Sequence, residues 1–177
     1  MAGKFTLISS KKVLQSRVFT VYDEQWHAPD GGAFQRHTVR HPGAVAVVPF
    51  DRDGNILLIR QFRPAANEWL FEIPAGTLEK GEPPLACAKR ELIEEVGVAA
   101  KKWKKLGAIF LAPGYSSELI HLFKAWEMSP AYGDQDEDEH IEKPVAFSAA
   151  KIKKAIASGK ICDAKTLSAL MLCGICV

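Results

Sequence analysis

The sequence has almost no net charge and no long apolar run. Its 23 basic and 21 acidic side chains leave a formal net charge of +2 over 177 residues, which gives no bulk electrostatic reason to expect a nucleic acid or a membrane surface as partner. No apolar run approaches the roughly 20 residues of a membrane-spanning helix, and the N-terminal residues lack the apolar centre of a secretory signal. We therefore expect a cytoplasmic protein that binds neither nucleic acid nor membrane.

Cysteine is scarce as well, with Cys87, Cys162, Cys173 and Cys176 in the whole chain. Cys173 and Cys176 have the spacing of a redox or zinc-binding pair, but no second pair and no nearby histidine would complete a site. The alternative, which we favour, is that they are small apolar side chains near the end of a helix. Internal repeats and low-complexity segments are also missing, which indicates one ordinary domain with a short extension.

The patterns that are present predict a mixed sheet flanked by helices, an α/β (α+β) fold. Segment 43–49 is almost wholly apolar, as a central strand covered on both faces should be. Apolar residues at spacings of three and four predict a helix over 84–96, and Gly97 is placed to end it. The predicted strands are 5–8, 17–25, 33–40, 43–49, 55–62, 69–73, 75–77, 103–112, 120–126 and 141–147, and the predicted helices are 84–96, 149–158 and 163–172, the last capped by Asp163.

The predicted helix 84–96 carries three carboxylates, Glu91, Glu94 and Glu95. Glu91 and Glu95 lie one turn apart on one face with Glu94 beside them, and like charges at this spacing repel. They are explained if a cation neutralises them, and clustered hard oxygen donors suit Mg²⁺ or Mn²⁺. The alternative for such a helix taken by itself is a solvated acidic face.

A wider pattern around this helix favours the metal. It reads Gly, five residues, Glu, seven residues, Arg-Glu, an aliphatic residue, any residue, Glu-Glu, any residue, Gly and an aliphatic residue. The chain matches every specified position, with Gly76, Glu82, Arg90, Glu91, Leu92, Glu94, Glu95, Gly97 and Val98. By this pattern the chain resembles the Nudix hydrolases, which implies an α/β/α sandwich with a mixed sheet and an N-terminal antiparallel β extension.

The resemblance implies a set of metal ligands. Glu91 and Glu95 would ligate the metal and act in catalysis, Glu94 would be a further ligand, and the backbone carbonyl of Ala75 would be another. The ions would be Mg²⁺, with Mn²⁺ as a substitute, and two or three in number. Such ions neutralise a polyanionic diphosphate and acidify a water that attacks it.

Four further residues of the pattern would support the ligands. Arg90 is expected to orient the glutamates by pairing with them. Glu82 would serve structure or a water-mediated metal contact. Gly76 would let the backbone turn tightly at the metals, and Gly97 would end the helix.

Two segments after the helix resemble the ADP-ribose pyrophosphatase branch of this family. Pro113 stands 16 residues after the last glycine of the pattern, and Glu118 matches the acidic residue of that branch. The acidic segment 134–139 resembles its catalytic loop, which implies Glu137 as the general base and Glu139 as a metal ligand, with the choice between the two glutamates open. A rigid loop and a solvated acidic run are the respective alternatives.

Segment 58–64 resembles the strand of that branch which precedes the pattern. Arg63 matches a phosphate-contacting arginine, and Glu72 also matches the branch. Arginine suits a diphosphate because its planar fork binds oxygens in pairs. Arg60 could contact substrate as well or pair with a surface acid, and Arg40 could reach the nucleotide from the N-terminal strands. The predicted substrate-binding residues are thus Arg63, Arg60, Glu72, Glu118 and Arg40.

These observations predict hydrolysis of ADP-ribose to AMP and ribose 5-phosphate by a metal-activated water. Other nucleoside diphosphate sugars, or dinucleotides such as NADH, would follow the same chemistry. A non-catalytic nucleotide-binding module is the alternative from another class, although every glutamate of the pattern is present, and an adaptor using the basic stretch 101–105 is weaker still. We expect residues 1–41 to form a dimerising β extension, residues 42–177 to form the hydrolase domain, and the protein to be a homodimer.

Overall fold

A computed structural model of the chain describes residues 3–133 and 140–175. Within these residues lie ten strands and three helices. They are β1 (Thr6–Gln15), β2 (Thr20–His27), β3 (Ala33–Arg40), β4 (Ala44–Pro49), β5 (Ile56–Arg63), β6 (Glu68–Glu72), β7 (Ala75–Thr77), α1 (Pro84–Val96), β8 (Val98–Phe110), β9 (Leu119–Pro130), β10 (Ile141–Phe147), α2 (Ala149–Ala157) and α3 (Ala164–Leu172). Over the same residues no helix combines the length and the apolar character needed to cross a membrane.

The chain folds into two compact units. The first comprises Met1–Gly43 and Phe110–Leu119, and the second comprises Ala44–Ile109 and Ile120–Val177. In the first unit, Val39 of β3 accepts a backbone hydrogen bond from Ser117 (2.9 Å) and donates one to Tyr115 (2.7 Å). No sequence pattern indicated that residues 110–119 would join the N-terminal strands. The predicted division into a dimerising extension and a hydrolase domain stays a prediction.

The first unit contains a three-stranded antiparallel sheet in the order β1-β2-β3. β2 and β3 pair in unbroken register, whereas β1 pairs with β2 across two register shifts. The predicted strand 5–8 was too short, because β1 continues to Gln15. Every residue of β1 is exposed, and a strand with no buried face carries no apolar alternation by which its length could be predicted.

The second unit is centred on β4, whose six residues are all buried. β4 lies between β7 and β9 in a sheet of order β7-β4-β9-β8, antiparallel to β7 and parallel to β9. Its alternate side chains enter two cores: Ala44, Ala46 and Val48 pack with residues of β5 and α3, and Val45 and Val47 pack against α1. The doubly covered central strand and the mixed α/β fold are thereby confirmed. A second sheet has the order β10-β5-β6.

Helix α1 has the predicted bounds. Pro84 stands in its first turn, where a missing N–H removes no helical hydrogen bond, and Gly97 ends it with φ of 74°, donating its N–H to the carbonyl of Ile93 (2.9 Å). The buried residues of α1 are Cys87, Ala88, Glu91, Leu92 and Glu95. Because these positions recur at three and four, they form one face. Glu91 and Glu95 therefore lie on the core-facing side of the helix, and the solvated acidic face is excluded for them.

Strand β8 follows α1 without a loop. It begins at Val98, so the predicted strand 103–112 began too late. β8 is an edge strand of its sheet, and Lys101 and Lys102 are exposed on it. Charged residues are common on sheet edges. Because these lysines interrupt the apolar alternation, the sequence did not indicate where the strand starts.

Candidate active site

The two buried glutamates of α1 converge on one short stretch of backbone, Ala75–Gly76 in β7. Glu95 is 2% exposed, and its Oε2 accepts a hydrogen bond from the Ala75 N–H at 2.8 Å. The Glu91 carboxylate lies directly over Gly76: a Cβ built there would stand 1.8 Å from Glu91 Oε1 and 1.9 Å from its Cδ. Only glycine permits this close approach. Two carboxylates and the backbone at Ala75–Gly76 are therefore brought together, and the predicted metal contact of the Ala75 carbonyl stays a prediction.

Arg90 holds the carboxylates around it in place. It donates to both oxygens of Glu82 (3.1 Å each), to Glu91 (2.7 Å) and to Glu94 (2.8 Å). The hydrogen bond from Arg90 is the main reason why the pKa of Glu82 lies below its ordinary value. Glu82 Oε2 also accepts the N–H of Glu79 at 3.1 Å, which closes the loop between β7 and α1. The contacts needed for the predicted orienting role of Arg90 are thus present.

The donors at this place are of the kind that hard divalent cations take. Carboxylate and carbonyl oxygens suit Mg²⁺ and Mn²⁺, so the residues fit the predicted ion. Within residues 3–133 and 140–175 no three histidine, cysteine, aspartate or glutamate side chains are grouped so as to hold a metal. Arg90 forms ion pairs with Glu91 and Glu94 and so offsets part of their negative charge.

Arg63 and Glu72 form a side-on pair at the end of β5 and β6. Arg63 Nε and Nη2 donate to the two oxygens of Glu72 at 2.8 and 2.6 Å. Burial raises the pKa of Glu72, but the hydrogen bond from Arg63 and the charge of Lys165 outweigh it, so its pKa lies below the ordinary value of 4.5. The pKa of Arg63 is raised, chiefly by the hydrogen bond to Glu72 and also by the charges of Asp163 and Glu95. Among the carboxylates of α1, Glu95 is the one whose charge contributes to this raised pKa of Arg63.

Lys165 of this network was missed by sequence reasoning, and Asp163 was predicted only as the cap of α3. Lys165 Nζ pairs with Glu72 and with Asp163, and the Lys165 side chain is buried. Asp163 was predicted to cap α3, and its carboxylate does accept the Thr166 N–H. A lysine in a short helix gives no sign of burial, because lysine is almost always exposed.

Glu72→Gln will reduce the change in unfolding free energy that acidification causes. Removing one partner of a buried pair costs about 3–5 kcal/mol of unfolding free energy at neutral pH. Because the pKa of folded Glu72 is lowered, this difference from wild type is fully present above pH 4.5 and is lost as the pH falls through the folded-state pKa. Urea titrations of both proteins at neutral and acidic pH measure this difference in unfolding free energy. A difference that stays constant as the pH falls would contradict the lowered pKa of Glu72.

Arg60 is engaged on the surface of the second sheet. Its Nη1 donates to Glu142 of β10 at 2.9 Å, and its guanidinium stacks on Trp69 with 5.2 Å to the ring centroid. The predicted alternative for Arg60, pairing with a surface acid, is what the structure shows. Its contact with substrate stays a proposal.

In the first unit, Arg40 pairs with a buried acid that no sequence pattern indicated. Arg40 Nη2 contacts Glu24 Oε1 at 2.6 Å, and Glu24 is 1% exposed. Trp26 Nε1 also donates to Glu24, at 3.2 Å. Glu118, half-buried, donates its backbone N–H to Ser116 Oγ at 3.1 Å. Substrate contacts of Arg40 and Glu118 stay predictions.

A cavity of about 680 Å³ opens beside the C-terminal half of α1. Its lining includes Glu94, Glu95, Tyr132 and Lys143. A small-molecule ligand needs a space of this order. The acidic segment 134–139, with Glu137 and Glu139, lies outside the described residues.

The cysteines give no sign of a metal or redox pair in the described part of the chain. Cys87 is buried, and burial together with the charges of Glu82 and Glu91 raises its pKa to about 12. Cys173 packs against the larger core, as expected for a small apolar side chain. Cys176 lies outside the described residues.

Comparison with known proteins identifies the family of this chain. The sequence model of the NUDIX domain family matches residues 40–168, which include every residue placed around Ala75 and Gly76. The chain therefore belongs to the NUDIX domain family.

Within and around that family the chain is similar to several named proteins. It is 39% identical to an ADP-ribose pyrophosphatase of Bacillus subtilis, over 92% of this chain and 89% of that protein. It is 33% identical to a methanol dehydrogenase activator of Bacillus methanolicus over the same shares, and 35% identical to a GDP-mannose pyrophosphatase of Citrobacter koseri, over 94% of this chain and 93% of the other. A crystal structure of an ADP compounds hydrolase superposes with a TM-score of 0.86 at 26% identity, covering 98% of this chain and 94% of that one.

Proposed function

We propose that this chain hydrolyses the diphosphate bond of ADP-ribose and releases AMP and ribose 5-phosphate. The observation that carries the proposal is the convergence of the buried Glu91 and Glu95 on Ala75–Gly76. The names of the similar ADP-ribose pyrophosphatase and ADP compounds hydrolase support an adenosine diphosphate derivative as substrate.

The metal part of the proposal is Mg²⁺, with Mn²⁺ as a substitute, and two or three ions. Glu91, Glu94, Glu95 and Glu139, with the carbonyl of Ala75, are the proposed ligands. When bound, the ions would neutralise the diphosphate and generate a nucleophilic hydroxide.

The side chains of the protein bind and orient the substrate in this proposal. The pair with Glu72 uses Nε and Nη2 of Arg63, so the Nη1 edge points away from Glu72 and can donate to a phosphate oxygen. The Arg63 side chain is 38% exposed, which leaves it accessible to such a ligand. Arg90 keeps Glu91 and Glu94 in position. Arg60, Glu72, Glu118 and Arg40 are proposed as further substrate-binding or supporting residues.

The general base is proposed to be Glu137. Glu137→Gln will lower kcat by about 10²- to 10⁴-fold, because the attacking water loses its proton acceptor, and will change KM little. Steady-state kinetics on ADP-ribose measure both. Glu139→Gln in the same assay is the comparison. If Glu137→Gln has a normal kcat and Glu139→Gln is inactive, Glu139 is the general base instead of Glu137.

A substrate panel tests the proposed function. ADP-ribose, GDP-mannose and NADH are assayed with Mg²⁺, with Mn²⁺ and with EDTA. We expect the highest kcat/KM for ADP-ribose and no turnover in EDTA. Preference for GDP-mannose would favour the second candidate, a hydrolase of other nucleoside diphosphate sugars, which the similarity to a GDP-mannose pyrophosphatase supports. Binding without turnover of any of the three would favour a nucleotide-binding module.

We also propose that residues 1–41 are a dimerising extension of a hydrolase domain at 42–177. In support, β1 is an edge strand, and its apolar side chains Leu7, Ile8, Val13 and Leu14 are each more than 40% exposed. A strand edge with exposed apolar side chains is a surface that a second copy can cover. Light scattering should give the mass of a dimer for the wild type and of a monomer for Val13→Glu; a monomeric wild type would contradict the proposal.

We propose a cytoplasmic location because the described cysteines are not in disulfides. Cys87, Cys162 and Cys173 are free thiols. Free thiols are typical of reducing compartments.

A further inference from the structure

Helix α3 places a buried lysine against the pair Arg63–Glu72. Lys165 is 7% exposed, and its Nζ contacts Glu72 Oε2 and, at 3.1 Å, Asp163 Oδ2. A lysine is seldom buried unless it is paired. The order of contacts is Arg63, Glu72, Lys165 and Asp163, so two cations and two anions alternate.

Among these four residues, Glu72 holds the guanidinium of Arg63 in position. It is 1% exposed and holds Arg63 through two hydrogen bonds, while its Oε2 is shared between Arg63 and Lys165. Fixing a carboxylate from two sides restricts the rotamers of the arginine that it holds. The position of Arg63 therefore depends on a contact that Arg63 does not itself make.

The first turn of α3 is anchored to the strand end that carries Glu72. Thr166 donates its N–H (3.0 Å) and its hydroxyl (2.6 Å) to Asp163 Oδ2, and Thr166 Oγ1 accepts the N–H of Ile73 at 3.0 Å. The residue next to Glu72 is thus bound to the residue next to Lys165. This double connection gives Lys165 a defined place relative to Glu72.

The charges indicate what Lys165 contributes. The formal charges of Arg63, Glu72, Lys165 and Asp163 sum to zero. Without Lys165 the remaining three groups have a net charge of −1. An extra negative charge there opposes an anionic ligand, since charges within a few ångströms interact strongly in a partly buried site.

We infer that Lys165 is a positioning residue, which acts through Glu72 to hold Arg63 ready for the diphosphate of the substrate. The inference rests on the proposed function, in which Arg63 contacts a phosphate. A purely structural lysine would stabilise the fold without affecting substrate affinity through Arg63.

A double-mutant cycle between Lys165→Met and Arg63→Gln tests the inference. KM and kcat for ADP-ribose are measured with Mg²⁺, together with the melting temperature of each protein. We expect Lys165→Met to raise KM about tenfold with kcat within about threefold. In the Arg63→Gln background the same change should raise KM less than about twofold, because the group it positions is gone.

The controls separate position from stability. Lys154→Met removes an exposed lysine from α2 and should leave KM unchanged, and Lys165→Arg, which keeps the charge, should restore part of the affinity. Should Lys165→Met fail to fold, Lys165→Gln enters the same cycle. Equal effects of the Lys165 change in both backgrounds, or a lowered melting temperature with unchanged KM, would overturn the inference. A wild type inactive on ADP-ribose would instead overturn the proposed function.

Discussion

Glu95→Gln will lower kcat for ADP-ribose by about 10³-fold while the fold persists. Glu95 is buried beside Ala75 and accepts its N–H, and a glutamine keeps one oxygen for that hydrogen bond but loses the negative charge. Losing about 4 kcal/mol of charge stabilisation in the transition state corresponds to this factor. Calorimetry of Mg²⁺ binding should show weaker binding by the same variant.

Glu68→Gln is the matched control for this change. Glu68 is exposed on β6, so the same substitution there should leave kcat within about twofold. Circular dichroism and thermal unfolding of both variants establish that they are folded. Full activity of Glu95→Gln would remove Glu95 from the proposed metal ligands.

Gly76→Ala will lower kcat by about 10²-fold or more. The new methyl group would overlap the Glu91 carboxylate, whose Oε1 and Cδ lie 1.8 and 1.9 Å from the Cβ position. Glu91 must then leave Gly76 and shift away from Arg90. Overpacking of this kind also costs about 1–3 kcal/mol of stability, which urea titration measures separately from activity.

Two further variants identify the cause of that loss. Gly114→Ala adds a methyl group where no atom lies within 4 Å, so it should alter stability little. Glu91→Asp shortens the side chain and should relieve the crowding when combined with Gly76→Ala, so that the double variant loses less than the sum of the single losses. Strict additivity would show that the methyl group acts on something other than Glu91.

The helical half of the site could be predicted because its spacing is local. Glu91 and Glu95 are one helical turn apart, and Pro84 and Gly97 mark the ends of α1, so the face and the bounds follow from the pattern. Arg90 and Glu94 have the i,i+4 spacing of a helical ion pair, whereas the pairing of Arg90 with Glu91 was expected only from the family resemblance. Gly76 is also part of the pattern, but the pattern does not indicate that the Glu91 carboxylate lies over Gly76.

The other half of the site could not be predicted because its contacts are distant along the chain. Lys165 and Glu72 are 93 residues apart, and no periodicity in α3 distinguishes a buried lysine from an exposed one. Glu24 pairs with Arg40 across two strands, a contact that no spacing in the sequence indicated, and the predicted contact of Arg40 with substrate stays a prediction. The length of β1 and the start of β8 were missed because both strands are sheet edges with exposed side chains.

Arg90, enclosed by Glu82, Glu91 and Glu94, has a consequence for how the protein is made. Small zinc-binding domains remain unfolded until the ion arrives, because their ligands have nothing else to hold them. Here a guanidinium built into the same helix already relieves the repulsion among the acids, so the newly synthesised chain can reach its final shape before it meets an ion. Binding of the proposed ion can then follow folding, and we expect the purified protein to stay folded in the presence of a chelator.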